Sequence, residues 1–183
     1  PPRSTLFPYT TLFRSTASFS VHAAAAGAAE VDSVDLSNTY LDWAAGNFAA
    51  NGFSAVRLSP EDYTAQKAPS SPLRLVRADA LRFLQEAAKR RMLWDLIILD
   101  PPTFSNSKKM AGTLDIRRDH QDLIALCLSL LAPGGRLWFS TNAKGFKMDE
   151  GAFPAARVKD MTLQTVDEDF RGRKVRACYT FTL

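Results

Sequence analysis

Six residues constrain this chain more than any others: Trp94–Leu99 (WDLIIL), which run straight into Asp100-Pro101-Pro102. A strand with one wet face alternates polar and apolar residues. A run that is apolar almost throughout predicts a strand covered on both faces, as in a parallel sheet with helices above and below. Two consecutive prolines cannot continue the ladder, so the strand must end at Asp100.

Strand and helix patterns alternate around it. Thr16–Ala29 is rich in small residues and predicts a helix packed close to a sheet. Val31–Leu36 predicts a short strand. Ser37 is placed to N-cap a helix reaching Ala50, whose apolar stripe is Tyr40, Leu41, Ala44 and Phe48, and Gly52 is the expected stop. Residues 54–71 hold Pro60 and Pro69 and predict a connection around a weak strand or turn. Leu73–Arg77 predicts a strand, and Ala80–Arg91 a helix with Leu81, Leu84 and Ala88 on one face. Beyond the buried strand come a polar loop (Thr103–Leu114), a helix (Ile116–Leu131), a turn at Pro133-Gly134-Gly135, a strand (Arg136–Ser140) and a loop (Lys144–Glu150). Met161–Val166 and Val175–Leu183 predict two closing strands joined through residues 167–174. Strands separated by helices predict an α/β fold: a mostly parallel, doubly wound, Rossmann-like sheet, closed by a C-terminal antiparallel edge hairpin.

Composition narrows the function classes. The net charge of +4 permits a nucleic-acid partner without demanding one. Two cysteines without CxxC spacing and two histidines offer neither a zinc set nor a disulfide framework, so no metal is expected and a reducing cytoplasm fits best. No apolar run approaches the roughly 20 residues of a membrane span. The first fifteen residues stand apart. Thr5-Leu6-Phe7 recurs as Thr11-Leu12-Phe13, with Arg-Ser beside both copies. This resembles a translated sequencing adapter. Residues 1–15 are therefore expected to be a non-native or disordered leader, although Leu12-Phe13 could still occupy a core strand. Residues 16–183 are expected to be one domain that begins inside its own first motif.

In open α/β sheets ligands bind at the carboxyl ends of the strands. Asp35 ends the second predicted strand, where a carboxylate can accept hydrogen bonds from both ribose hydroxyls; it could equally be a solvated neighbour of a helix cap. Asp79 follows the third, where it can accept an adenine amine, cap the next helix, or do both. Asp100, Pro101, Pro102 and Phe104 follow the buried strand. There the stiff turn holds Asp100 at the sheet edge and offers Phe104 for stacking on a flat base. Lys108, Lys109, Arg117 and Lys144 lie in or beside the neighbouring loops, and cations next to an aromatic suit an RNA backbone with a splayed base. His22 and His120 read as structural.

Four blocks carry a resemblance: VDLSNTYLDWAAGNFAANG (Val34–Gly52), DPPTFSNSK (Asp100–Lys108), RRDHQDLI (Arg117–Ile124) and FSTNAKGFKMD (Phe139–Asp149). Together they resemble the RlmK domain of the RlmKL family, the bifunctional bacterial 23S rRNA guanine methyltransferases of the class I S-adenosylmethionine (SAM)-dependent superfamily. The resemblance runs from about Thr16 to the C-terminus. It implies a seven-stranded sheet, SAM as methyl donor, 23S ribosomal RNA as partner and N7-methylguanosine as product. It assigns Thr16, Asp35, Leu36, Asp79, Ala80 and Asp100 to the cofactor, and Asp100, Pro101, Pro102 and Phe104 to the reaction. Phe104, Lys108, Lys109, Arg117 and Lys144 fall to the RNA. Where the family's first loop reads YTG, this chain has Ser15-Thr16-Ala17, and the family's upstream RNA-binding subdomain and second methyltransferase half are absent.

Guanine N7 carries a free lone pair, so its methylation needs alignment more than a base. Related 5-methylcytosine enzymes carry a cysteine in an FSCS-like stretch where this chain has Phe139-Ser140-Thr141-Asn142. N2-guanine and N6-adenine enzymes place the aromatic directly after the prolines, whereas Thr103 intervenes here. A nicotinamide-dependent oxidoreductase would also use Asp35, but no GxGxxG follows a first strand. An inactive fragment of a methyltransferase is the remaining alternative.

Overall fold

The computed structural model describes residues 8–12, 16–64, 71–105, 114–166 and 176–183. In chain order the elements are β1 (Pro8–Leu12), α1 (Ser18–Ala25), β2 (Glu30–Asp35), α2 (Asn38–Ala50), β3 (Val56–Leu58), α3 (Pro60–Thr64), β4 (Leu73–Arg77), α4 (Ala80–Lys89) and β5 (Trp94–Leu99). There follow β6 (Phe104–Ser105), β7 (Leu114–Asp115), α5 (Ile116–Leu128), β8 (Leu131–Thr141), β9 (Arg157–Asp160) and β10 (Ala177–Thr182).

One eight-stranded sheet has the order β3-β4-β2-β1-β5-β8-β10-β9. Neighbours from β3 to β8 run parallel, and β10 is antiparallel to both β8 and β9. The predicted doubly wound sheet with an antiparallel edge is thus present. It has eight strands where the resemblance implied seven; β3, three residues long, is the outermost on its side. Residues 8–12, within the expected leader, form the strand between β2 and β5.

Two cores lie on the two faces. On one, Val31, Leu41, Phe48 and Leu75 pack beneath α1 and α2; on the other, Phe83, Leu84, Ile97, Leu99, Leu123 and Phe139 pack beneath α4 and α5. β5 feeds both: Ile97 and Leu99 enter the second core, while Leu96 and Ile98 pack against the first. That two-sided burial is what its almost continuously apolar sequence requires. On α4 the buried face is Ala80, Phe83, Leu84 and Ala87, with the expected Leu81 and Ala88 at its margins.

Several boundaries move for local reasons. α1 is shorter than Thr16–Ala29 because Ala17 sits at φ 58° and Gly27 at φ 86°, both outside helical space. α5 stops at Leu128, and Leu131 already pairs with Trp94. The register then slips so that Leu96 faces Arg136, and the Pro133-Gly134-Gly135 turn is absorbed into a bulge. The weak connection at 54–71 contains β3 and α3, and the polar loop after β5 is pinned by the two-residue pairing of β6 with β7.

The strand expected at Met161–Val166 is a correction. The strand is Arg157–Asp160, and Thr162–Gln164 is a single 3-10 turn. Asp160 Oδ1 accepts from the Thr162 N–H at 2.7 Å, and the Thr165 N–H donates to the Met161 carbonyl at 3.1 Å. A carboxylate that captures the backbone two residues on offers turn bonds in place of ladder bonds.

Candidate functional site

Because β1, β2, β4, β5 and β8 are parallel, their carboxyl ends share one edge of the sheet. Thr16, Asp35-Leu36, Asp79-Ala80, Asp100-Pro101-Pro102 and Lys144 all follow those ends. From β1 the chain moves outward through β2 toward β4 and β3, and then crosses from β4 by way of α4 to β5 on the other side of β1, so the topological switch lies between β1 and β5.

Asp35 is half-buried, and its Oδ1 accepts from the Ser37 N–H at 2.7 Å. Its carbonyl accepts from the Ala78 N–H at 3.2 Å, which stitches the loop after β2 to the loop after β4. Ser37 caps α2, its hydroxyl accepting from the Tyr40 N–H at 3.4 Å. Asp79 is buried and caps α4, its Oδ1 accepting from the Arg82 N–H at 3.0 Å. Leu36 and Asp79 line a cavity of about 540 Å³ together with Tyr63, Arg82, Phe83 and Met92. Ala80 is buried at the start of α4. The carbonyl of Thr16 accepts from Asn47 Nδ2 at 2.7 Å, so the loop after β1 is braced by α2.

Asp100 Oδ1 accepts from the Ser140 hydroxyl at 2.7 Å, and this bond locks the end of β5 to the end of β8. Pro101 is buried and Pro102 half-buried. Two residues further on, Phe104 is 57% exposed, too open for a core role. The Thr103 carbonyl accepts from the Ile116 N–H at 3.2 Å, anchoring the proline turn to α5.

Arg117 and Lys144, expected as separate RNA contacts, meet: Arg117 Nη2 donates to the Lys144 carbonyl at 2.6 Å. Lys108 and Lys109 lie outside the described residues. His120 is buried, in keeping with its structural reading. Ser140 was missed; its signal was its place at the end of a strand, next to the turn that carries Asp100.

Both cysteines are buried. Burial pushes the Cys127 thiol well above its ordinary range and raises Cys178 as well, so neither supplies a ready thiolate. Thr141, in the stretch where cytosine-modifying relatives carry cysteine, is fully buried, and its hydroxyl accepts from the Ala143 N–H at 3.2 Å. Among the described residues no group of three His, Cys, Asp or Glu could hold a metal ion, and no helix is long and apolar enough to cross a membrane.

No protein-family model matches the chain. It is 45% identical over 168 residues to "Ribosomal RNA large subunit methyltransferase K" of Neisseria meningitidis, covering 92% of this chain and 43% of that protein. It is 44% identical over 169 residues to "Ribosomal RNA large subunit methyltransferase K/L" of Methylococcus capsulatus, covering 92% of this chain and 21% of that protein. The chain therefore spans between a fifth and a little under half the length of these relatives. Among solved structures, a SAM-dependent methyltransferase from Streptococcus mutans superposes with a TM-score of 0.74 at 24% identity, over 98% of this chain and 46% of its own. A methyltransferase complexed with SAH (S-adenosylhomocysteine), SMU.776, gives 0.71 at 23% identity, over 98% of this chain and 46% of its own. The chain thus has the Rossmann-like class I methyltransferase fold and is similar, over nine-tenths of its length, to part of the K and K/L ribosomal RNA large-subunit methyltransferases.

Proposed function

We propose that residues 16–183, with β1 completing the sheet, are the catalytic region of a SAM-dependent ribosomal RNA methyltransferase that acts at guanine N7 of 23S rRNA. The observation that carries this reading is the Asp100–Ser140 lock, with an exposed Phe104 four residues on, at the carboxyl edge of the sheet.

The residues fit the cofactor by their chemistry. Asp35 offers a carboxylate to ribose hydroxyls, and Asp79 has one carboxylate oxygen on the α4 cap and a second for an adenine amine. Leu36 and Ala80 supply apolar contact, and Thr16 flanks the site from the β1 side. When bound, SAM supplies an electrophilic methyl group. Phe104 stacks on the target base, and Pro101 and Pro102 hold the turn stiff so that base and methyl donor stay aligned. Lys108, Lys109, Arg117 and Lys144 attract the phosphate backbone.

The N7 product is favoured because its lone pair attacks without deprotonation. This site offers alignment: both described thiols are buried, and so is His120. A 5-methylcytosine mechanism needs a thiolate nucleophile, and buried Thr141 stands in that stretch.

Calorimetric titration of SAM into the chain tests the cofactor reading, and saturable binding is expected. Radiolabelled methyl transfer to undermodified 23S rRNA, followed by reductive strand cleavage at N7-methylguanosine, tests the product. No SAM uptake by either the folded chain or a folded version whose residues 1–15 are replaced by a relative's sequence refutes the assignment. SAM binding regained only when residues 1–15 are replaced by a relative's sequence identifies an inactive fragment.

A further inference from the structure

The amino end of α5 touches both loops that frame the site. The Ile116 N–H holds the Thr103 carbonyl of the proline turn, and Arg117 Nη2 holds the Lys144 carbonyl of the loop after β8. Between them lies His120, 6% exposed. Its Nδ1 is 3.0 Å from the Ile116 carbonyl and 3.1 Å from the Arg117 carbonyl. Both are acceptors only, so Nδ1 carries the proton. Its Nε2 is buried and makes no hydrogen bond among the described residues. The imidazole meets the ring of Phe146 edge to face, with centroids 4.8 Å apart and planes at 77°.

Phe146 is the far end of a tight turn. Its N–H donates to the Ala143 carbonyl at 3.1 Å across Gly145, whose φ of 73° admits few other residues. Its ring also packs on Phe139 of β8 at 5.6 Å and on Tyr179 of β10 at 6.4 Å. A buried nitrogen without a partner is a defect that an apolar side chain would avoid, so α5 packing alone does not account for a histidine. What histidine adds is a flat ring whose rotation is fixed by the Nδ1–H fork and which stops Phe146 from sliding.

We infer that His120 is a positioning residue: through Phe146 it sets the Asn142–Lys147 loop against the carboxyl end of β8, where Ser140 holds Asp100. The inference rests on reading this edge as the methyl-transfer site. His120 does not touch the reacting atoms; it fixes the loop that presents Asn142 and Lys144 beside them.

The test is amide hydrogen exchange on the intact chain, read separately for residues 142–147 and for the C-terminal half of α5. His120→Phe keeps a ring and removes the fork. Phe146→Leu removes the ring partner and leaves His120 untouched. Each is expected to speed loop exchange about tenfold while α5 is unchanged, and the double variant is expected to add little beyond Phe146→Leu, because the effect of His120 on the loop runs through the Phe146 ring. Phe146→Tyr is expected to behave like the unaltered chain. In methyl-transfer assays both disruptive variants should lose about ten- to a hundredfold in kcat, with SAM affinity held within about twofold. Unchanged loop exchange in folded His120→Phe and Phe146→Leu overturns the inference. So do additive effects, or a rise confined to α5, which would mark a helix-packing role. Failure to bind SAM both by the unaltered chain and by a version whose residues 1–15 are replaced by a relative's sequence sinks the functional reading instead and leaves the exchange result to decide the loop contact on its own.

Discussion

Asp32 sits in the middle of β2 with no exposed surface, ringed by donors. Arg74 Nε and Nη2 reach it at 2.6 and 3.2 Å, the Tyr63 hydroxyl at 3.0 Å and Trp94 Nε1 at 3.1 Å. The four residues join β2, β4, β5 and α3. Arg74→Leu removes the cation and two of the four donor contacts, leaving a buried carboxylate with only neutral donors. Breaking a buried pair from one side costs about 3–5 kcal/mol. In a domain of this size that lowers Tm by roughly 6–20 °C.

The loss should depend on pH. Burial pushes the Asp32 carboxyl up from its ordinary value, and the bonds from Arg74, Trp94 and Tyr63 pull it partly back. A carboxyl raised in the folded state adds stability that is fully present below the unfolded value, about 3.9. That contribution is lost as pH rises through the folded value. Without Arg74 the upward push is less opposed, so Arg74→Leu should be more damaging near pH 8 than near pH 5, by up to about 1.4 kcal/mol per pH unit. Urea denaturation of both proteins at both pH values measures this. Adding Asp32→Leu should recover part of the loss, because an apolar pair needs no counter-charge, while the Tyr63 hydroxyl and Trp94 Nε1 lose their acceptor. A cost below about 1 kcal/mol, or one that is the same at both pH values, would refute the reasoning.

Two further substitutions separate fold from site. At Gly135 an added Cβ would lie 2.8 Å from the Ala132 carbonyl oxygen and 3.0 Å from that of Trp94, both backbone atoms; Gly135→Ala is expected to cost about 2 kcal/mol in denaturant unfolding by overpacking the β5–β8 bulge. Asp79→Ala should cost about 1 kcal/mol through loss of the α4 cap, whereas Asp79→Asn keeps the cap. On the proposed reading both should weaken SAM binding about tenfold in calorimetry, since asparagine's one acceptor oxygen is taken by the Arg82 N–H.

The parts of the fold legible in the sequence were those written in burial and capping. Trp94–Leu99 announced a strand covered on both sides, and Ser37 and Asp79 announced helix starts. β9 was not legible because Arg157–Asp160 is a polar, mostly exposed edge strand without alternation, while the apolar Met161 and Leu163 drew attention to a turn. The Asp32 cluster was hidden for another reason. Arg74 is the direct cross-strand partner of Asp32, but that pairing exists only once the parallel register of β2 and β4 is known. At the site, carboxylates after strand ends could be picked out one by one from the strand pattern. The contacts that tie this edge together, the Ser140–Asp100 bond and the ring contact of His120 with Phe146, join residues from different elements. No local spacing reports such contacts.

The place of β1 also bears on the order of assembly. Its residues pair with β2, about twenty positions away, and with β5, where Leu12 lies opposite Leu99. On a ribosome β2 therefore becomes available early, but the other flank of β1 stays open until the whole of α2, β4 and α4 has been made. Long-range parallel pairing of this kind closes slowly and leaves an unpaired strand edge in the meantime. The middle of the finished sheet is thus sealed only once the chain has reached β5. In this topology the strand at the heart of the fold is, during synthesis, an exposed edge available to a chaperone or to another nascent chain.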